Sequence, residues 1–138
     1  MAANSEIILV SQTHDPLNST PTTVYGDKAK GAGYFGFGHS SHTVELEVTI
    51  FVGTFKIQGT LATNPQDGDW VDISLLDQNI LTMDTTGLIS RDTGLRTVAF
   101  VSPTTTARIF NFSGNFTWIR AVVEEWTAGS INRVLLNH

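Results

Sequence analysis

The residues that could carry catalysis are few and form no recognisable set. The 138-residue chain has no cysteine, which excludes thiol catalysis, iron–sulfur clusters and thiolate zinc sites. No serine lies in a Gly-x-Ser-x-Gly motif or in a Ser–His–Asp context. Glu124 and Glu125 are adjacent, but alternation along a strand points them to opposite faces, so they cannot act together as acid and base. The sequence therefore predicts no catalytic residues, and we expect the protein not to be an enzyme.

Two patterns contain residue types that bind metals, but neither supplies a complete set of ligands. His39 and His42 have a spacing that suits a metal only on a helix, and the glycines before them argue against a helix. Asp67-Gly68-Asp69, followed by Asp72 and Asp77, resembles part of a calcium loop but lacks its full alternation and its closing glutamate. We expect a solvated loop and a tight Asp–Gly turn, with no metal and no other cofactor.

Five aromatic residues are candidates for binding rather than for chemistry. Trp70 follows the Asp–Gly turn, and Trp126 precedes the Ala-Gly pair at 128–129, so either could stack against a sugar. The alternative for Trp70 is that it starts a strand and covers the edge of the core. Tyr34, Phe35 and Phe37 lie in a glycine-rich segment and are candidate assembly contacts, or else part of a local core.

Arg120 is an unusual residue for its position, because it lies between apolar neighbours in a predicted strand. It could anchor a ligand. The structural alternative, which we favour, has its stem packing across the sheet while the guanidinium reaches backbone carbonyls or Asn137.

The composition is typical of a β-rich domain and excludes some partners. Charged residues make up 15% of the chain, while there are 19 threonines and 12 glycines. The net charge of −5 comes with only eight scattered lysines and arginines, which argues against nucleic acid or an anionic membrane as partner. The sequence shows no apolar run of membrane-spanning length and no signal peptide, so we expect neither.

A period of two begins at Val44 and changes its phase near residue 52. Apolar residues alternate with polar ones from Val44 to Ile50 and again from Phe55 to Leu61, but in opposite parity. A two-residue hairpin turn at Val52-Gly53 would explain the change. It would pair Ile50 with Phe55 and Val44 with Leu61, and the alternating apolar residues of both strands would face the core.

The C-terminal region repeats this pattern. A strand at 116–125, a turn at Ala128-Gly129 and a return strand at 130–137 would form a second hairpin. In that register Glu124 lies opposite Arg133, and the two would form a cross-strand ion pair.

These patterns predict the fold class and the organisation of the chain. Short strands separated by turn signals every 8 to 14 residues indicate an all-β, antiparallel β-sandwich of about seven to nine strands, jelly-roll or immunoglobulin-like, with a closed barrel as the alternative. We expect one domain, with a first strand and a Gly/Thr/Pro-rich arm at 1–43 and the sandwich body at 44–138.

The sequence segments of the predicted hairpins resemble a known pattern. Residues 48–61 read VTIFVGTFKIQGTL and are followed, after an Asp–Gly turn, by Trp70-Val71; residues 112–121 read FSGNFTWIRA and are followed by TAGSI at 127–131. In this order the segments resemble a pattern that recurs in small β-sandwich structural proteins of tailed bacteriophages. The match covers roughly Val44 to Leu136.

The resemblance implies a non-enzymatic virion component, such as a head-decoration, neck or tail-fibre-associated protein. Its partners would be copies of itself, with a trimer as the expected state by analogy, and other virion proteins. The N-terminal arm would become ordered on assembly. The alternative is a carbohydrate-binding β-sandwich module whose partner is a surface glycan, which rests on the strand pattern, the low charge, Trp70 and Trp126.

Overall fold

The described part of the chain combines eight short strands with three long ones. The computed structural model describes residues 5–38, 40–77, 81–83, 89–91 and 95–138, which form eleven strands, one four-residue helix and one 3₁₀ turn. In chain order the elements are β1 (Glu6–Leu9), β2 (Gln12–Thr13), β3 (Thr22–Tyr25), β4 (Ala29–Lys30), α1 (Ala32–Phe35), β5 (Ser41–Thr60), the 3₁₀ turn (Asp67–Asp69), β6 (Val71–Asp72), β7 (Leu76–Asp77), β8 (Leu81–Met83), β9 (Ile89–Arg91), β10 (Val98–Ser113) and β11 (Trp118–Asn137).

Three long strands form the centre of one antiparallel sheet. The 20-residue strands β5 and β11 pair from Thr43–Asn137 at one end to Thr60–Trp118 at the other, and β10 pairs with the opposite edge of β5. The short strands β6 and β7 extend the sheet beyond β5 and β10, while β8 and β9 form a separate two-stranded ribbon. The all-β antiparallel fold predicted from the sequence is confirmed.

The long strands bend halfway along, and the bends fold the sheet into two layers. Positive φ angles occur at Ile50 (49°), Glu125 (51°) and Gly129 (84°), where the β5–β11 pairing shifts its register. The alternation of burial shifts at the same place, since Val48 and Phe51 are buried while Ile50 is 58% exposed. An extra residue of this kind is a β-bulge, which bends a strand and inverts its faces beyond the bulge.

Each long strand therefore contributes to both layers. Layer one contains β5 41–49, β10 104–113 and β11 130–137; layer two contains β5 51–60, β10 98–100 and β11 118–126. Their inner faces enclose one core, in which Phe55 of layer two approaches Phe110 of layer one at 6.1 Å between ring centroids. We call the end of the sandwich with the bends the bent end, and the end where the long strands begin and finish the open end.

The N-terminal segment pairs along the whole outer edge of β11. Strands β1 and β2 pair with its second half, and β3 and β4 pair with its first half. Ile8, Leu9 and Ala29 of this segment are buried in the common core. The described part of residues 1–43 thus completes both layers, rather than forming the arm expected from its composition.

The two predicted hairpins are wrong. Val52-Gly53 and Ala128-Gly129 lie inside the continuous strands β5 and β11, and the change of parity comes from the bulges. Glu124 and Arg133 consequently lie on the same strand and bind different partners on β5, Lys56 and Glu47 respectively. Leu61, expected in the core, is exposed.

The described part of the chain contains no helix with the length and apolar character needed to cross a bilayer.

The close approach of the two bends predicts a graded response to alanine at three glycines. A Cβ on Gly129 would lie 2.0 Å from the Ile50 carbonyl oxygen, while Gly36 has φ of 67° in open space and Gly68 has open space alone. A positive φ costs an L-residue about 1–2 kcal/mol, and Gly129→Ala adds the clash with the β5 backbone to this. Urea unfolding should therefore rank the loss of free energy of unfolding as Gly129→Ala, then Gly36→Ala, then Gly68→Ala. A Gly129→Ala protein as stable as Gly36→Ala would contradict the paired bends.

Candidate functional site

The outer face of layer two carries a set of polar and aromatic side chains. Cross-strand partners point to the same side of a sheet. Arg120 lies opposite Gln58, and Gln58 lies opposite Asp72 on its other edge. Val122 lies opposite both Lys56 and Tyr25 and is only 1% exposed, so the long side chains around it cover this face. Four neighbouring strands, β3, β11, β5 and β6, thus position the set.

Arg120 is held between two aromatic rings. Its Cζ lies 4.4 Å from the centroid of the Trp70 ring and 4.5 Å from that of Tyr25. Trp70 precedes β6 and Tyr25 ends β3, so the two rings come from opposite sides of β11. Within 6 Å, cations are attracted to the faces of aromatic rings. The rings therefore fix the plane of the guanidinium on the outer face.

One hydrogen bond to the protein further restricts the orientation of the Arg120 guanidinium. Its Nε donates to Oε1 of Gln58 at 2.8 Å, and Nε2 of Gln58 donates to Oδ1 of Asp72 at 2.9 Å. Among the contacts of the described residues, Nε is the only guanidinium nitrogen of Arg120 that donates to the protein. The four N–H groups on the two Nη atoms therefore remain for solvent or a ligand.

The nearby carboxylates are occupied by Lys56. Its Nζ lies 3.3 Å from Oδ1 of Asp72 and forms a second ion pair with Glu124. The hydrogen bond from Gln58 lowers the pKa of Asp72; burial opposes this, and the hydrogen bond and charge of Lys56 reinforce it, as does the charge of Arg96. Burial would lower the pKa of Lys56, but the hydrogen bonds and charges of Glu124 and Asp72 outweigh it and raise the value. Asp72 and Lys56 are thus held in their charged forms.

A second group of aromatic residues lies at the open end. We call the group of Tyr34, Phe35, Phe37, Trp118 and His138 the aromatic end. Phe35 stacks on Phe37 with centroids 4.9 Å apart, and His138 meets both rings edge-on. Tyr34 lies 5.1 Å from Trp118 at the start of β11.

Backbone hydrogen bonds hold the aromatic end in place. The N–H of Gly31 donates to the carbonyl of Thr117 at 3.0 Å, and that of Gly33 donates to the carbonyl of Phe116 at 2.9 Å. Helix α1 ends at Gly36 in the left-handed conformation, and the N–H of Phe37 returns to the carbonyl of Ala32 at 3.1 Å. The short helix is therefore attached to the residues that precede β11.

Lysines flank the aromatic end on the side of layer two. Nζ of Lys28 lies 4.4 Å from the Trp118 centroid, and Nζ of Lys30 lies 4.6 Å from that of Tyr34. Trp118 is two residues before Arg120 on β11, so both face outward. The aromatic end and the arginine site are therefore neighbours along one strand.

The structure separates the two candidate tryptophans. Trp70 lies on the outer face beside Arg120, at the start of β6. Trp126 is 3% exposed, contacts Phe51 and His14, and donates from Nε1 to the carbonyl of Ala128 at 3.0 Å. The expectation that Trp126 contacts a glycan is therefore wrong, because the bend in β11 turns its indole into the core.

The remaining sequence-predicted candidates have other positions. Tyr34, Phe35 and Phe37 come together, as described above. The expectation that Arg120 reaches carbonyls or Asn137 is wrong, since its partner is Gln58. His39 lies outside the described residues, while His42 is buried, stacks on Phe112 at 4.8 Å and accepts from the N–H of Ala32. Within the described ranges, no group of three or more His, Cys, Asp or Glu residues is placed to hold a metal ion.

Sequence reasoning missed Tyr25 and Gln58. Tyr25 belongs to a Thr-rich segment that the composition assigns to the arm, and only its pairing with Val122 brings it to the site. Gln58 occupies a polar position in the alternation, which indicates exposure but no particular partner.

Comparisons with known proteins include two distant structural likenesses. No family model matches the chain, and no curated protein sequence matches it. The crystal structure of the SPBc2 prophage-derived protein YomS is similar over 99% of this chain and 95% of its own, with a TM-score of 0.49 and 10% identity. A structure of the CBM22-1 and GH10 modules of Clostridium thermocellum xylanase 10B, complexed with xylohexaose, is similar over 93% of this chain and 24% of its own, with a TM-score of 0.39 and 10% identity. Both TM-scores lie below 0.5, so neither likeness bears on the function of this chain.

The Asp72 interactions predict a specific dependence of stability on pH. A carboxyl group with a lowered pKa stabilises the fold above its unfolded value of 3.8, and this contribution disappears as the pH falls through the folded value. Asp72→Asn should therefore be less stable than the wild type at pH 7, and the difference should shrink below about pH 4.

Urea unfolding at pH 7, 5, 3 and 2 measures this difference. Asp67→Asn is the matched control, because Asp67 is exposed and its side chain makes no hydrogen bond within the described structure. A difference between Asp72→Asn and the wild type that stays constant down to pH 2 would show that the Asp72 carboxylate does not stabilise the fold.

Proposed function

We propose that this protein is a non-enzymatic structural component of a bacteriophage particle. It acts in the virion by binding copies of itself and neighbouring particle proteins. The aromatic end is the contact surface.

The exposure of the aromatic end carries this proposal. Tyr34, Phe35 and Phe37 are 46%, 47% and 40% exposed, although they lie against one another. Clustered aromatic side chains on a protein surface are characteristic of interfaces, where they bury a large area at a low cost in side-chain entropy. Lys28 and Lys30 supply the polar rim that such interfaces have.

The order of segments in the sequence supports the assignment to a phage particle. The segments that resemble tailed-phage structural proteins are, in the structure, most of β5, the start of β6, the end of β10 with the turn after it, and two parts of β11 at 118–121 and 127–131. These elements build both layers of the sandwich. A homo-oligomer, with a trimer as the expected state, follows from the analogy with virion proteins.

Removing residues 1–43 does not isolate the contact surface. The deletion would expose the edge of β11 and remove Ile8, Leu9 and Ala29 from the core. A truncated protein would then fail to assemble because it fails to fold. Point substitutions at exposed side chains are the appropriate test.

The double substitution Phe35→Ser with Phe37→Ser should weaken self-association without unfolding the protein. Removing two exposed rings from an interface should raise the dissociation constant of the oligomer at least about tenfold. Light scattering after size-exclusion chromatography measures the mass, and thermal unfolding of the isolated variant checks the fold.

Leu17→Ser is the matched control, because Leu17 is 92% exposed and lies in the loop between β2 and β3. It should leave the mass unchanged. A wild-type protein that stays monomeric at high concentration, or a double variant with the wild-type mass, would refute the aromatic end as a self-contact.

The alternative function, a carbohydrate-binding module, depends on Trp70 and no longer on Trp126. The observation in its favour is that Trp70 lies on the outer face of a sheet beside Tyr25 and Arg120. Loss of glycan binding in Trp70→Ala, with assembly unchanged, would support it; a glycan array without a hit would count against it.

A further inference from the structure

The guanidinium of Arg120 is fixed in position but has no anionic partner among the described residues. Two aromatic rings and the Gln58 side chain hold its plane, while both Nη groups make no hydrogen bond to the described residues. An arginine that merely stabilised this face would be expected to pair with one of its carboxylates. Here Asp72 and Glu124 bind Lys56 instead.

The geometry of the free N–H groups selects the chemistry of the ligand. The two Nη atoms present parallel donors in one plane, which is the arrangement that a carboxylate accepts in bidentate fashion. Because the side chain is already immobilised, binding such a group costs little additional entropy. The site is therefore suited to a planar monoanion.

The rings on either side of Arg120 indicate which kind of molecule bears the bound carboxylate. Tyr25 is 59% exposed and Trp70 is partly exposed, so a ligand that reaches the guanidinium also meets aromatic surface on both sides. One face of each ring lies against Arg120, and the exposed remainder is apolar surface that can contact the C–H groups of a sugar ring. A sugar ring that bears a carboxylate satisfies both requirements.

The electrostatics of the same face argue against a polyphosphate ligand. A nucleic acid needs several unpaired cations along its backbone, and its affinity scales with their number. Lys56 is neutralised by two carboxylates, and the chain carries a net charge of −5. Arg120 offers one pair of parallel donors, which suits a single carboxylate, and the neighbouring Lys28 and Lys30 lie over aromatic rings at the aromatic end.

We propose that the outer face of layer two binds an acidic polysaccharide, with Arg120 binding the carboxylate of a uronic acid residue and Trp70 and Tyr25 contacting its sugar ring. This binding is separate from the assembly at the aromatic end. It gives the protein a ligand on the flat face of the sandwich, while its contacts with other proteins lie at the open end.

Isothermal titration of the full chain with two polyuronates, polygalacturonate and hyaluronate, tests the proposal. The wild type should bind at least one of them, and methyl esterification of that polymer should abolish binding, because it removes the charge but keeps the ring. Dextran sulfate and poly-glutamate distinguish a uronate site from general attraction to polyanions and from a site for acidic peptides.

Two substitutions in the site and one control substitution test which residues bind the polyuronate. Arg120→Lys removes the bidentate donors, and Gln58→Glu places a competing carboxylate beside Arg120 while it also loses the hydrogen bond to Asp72. Thermal unfolding of each variant checks the fold, and each should weaken binding at least about tenfold. Gln58→Glu keeps Arg120 and both rings, so it tests the site even if Arg120→Lys is unstable. Arg133→Gln, on the outer face of layer one, should bind as the wild type does.

Three results would overturn the proposal. One is that neither polyuronate binds the wild type. Another is that the esterified polymer, dextran sulfate or poly-glutamate binds as well as the polyuronate. The third is that Gln58→Glu binds as the wild type does. None of these results bears on the mass of the oligomer, so the assembly proposal stands or fails separately.

Discussion

The structure depends on two strands that bend together. β5 and β11 each run for 20 residues and stay paired along both halves, so a bend in one requires a bend in the other. At the bend, glycine at 129 allows β11 to pass so close to the Ile50 carbonyl that any side chain there would collide with it. This one close approach converts a single sheet into two layers around a common core.

The same bends decide which residues reach the surface together. Beyond the bulge in β5 the even-numbered residues change faces, so Lys56 and Gln58 point outward in layer two while Leu46 and Val48 point inward in layer one. The path of β11 brings Arg120 between β5 and β3, where Trp70 and Tyr25 reach it from either side. Because both long strands begin and finish at the open end, the aromatic end forms there, away from the bends.

Local alternation predicted where most of the strands lie. Which strands pair, and which side chains meet, depends on contacts between residues far apart in the sequence. Alternation identified Val44, Leu46 and Val48 as core residues and placed a change of phase in the right region. A hairpin turn and a bulge both invert the alternation, so periodicity cannot distinguish them, and the partners of Glu124 and Arg133 were wrong for that reason. The arginine site could not be predicted as a unit, because its residues come from four strands. Tyr34, Phe35 and Phe37 could be predicted as a group, since they lie within four consecutive positions.

Cross-linking at the rim of the aromatic end shows whether this surface joins copies of the chain. The chain has no cysteine, so Lys28→Cys introduces a unique thiol beside Trp118, and Leu17→Cys introduces one on the loop between β2 and β3. Each variant is treated with a short bismaleimide, and the covalent dimer is quantified on a denaturing gel. We expect abundant dimer from position 28 and little from position 17. Equal yields from the two positions, or dimer from position 17 alone, would contradict it.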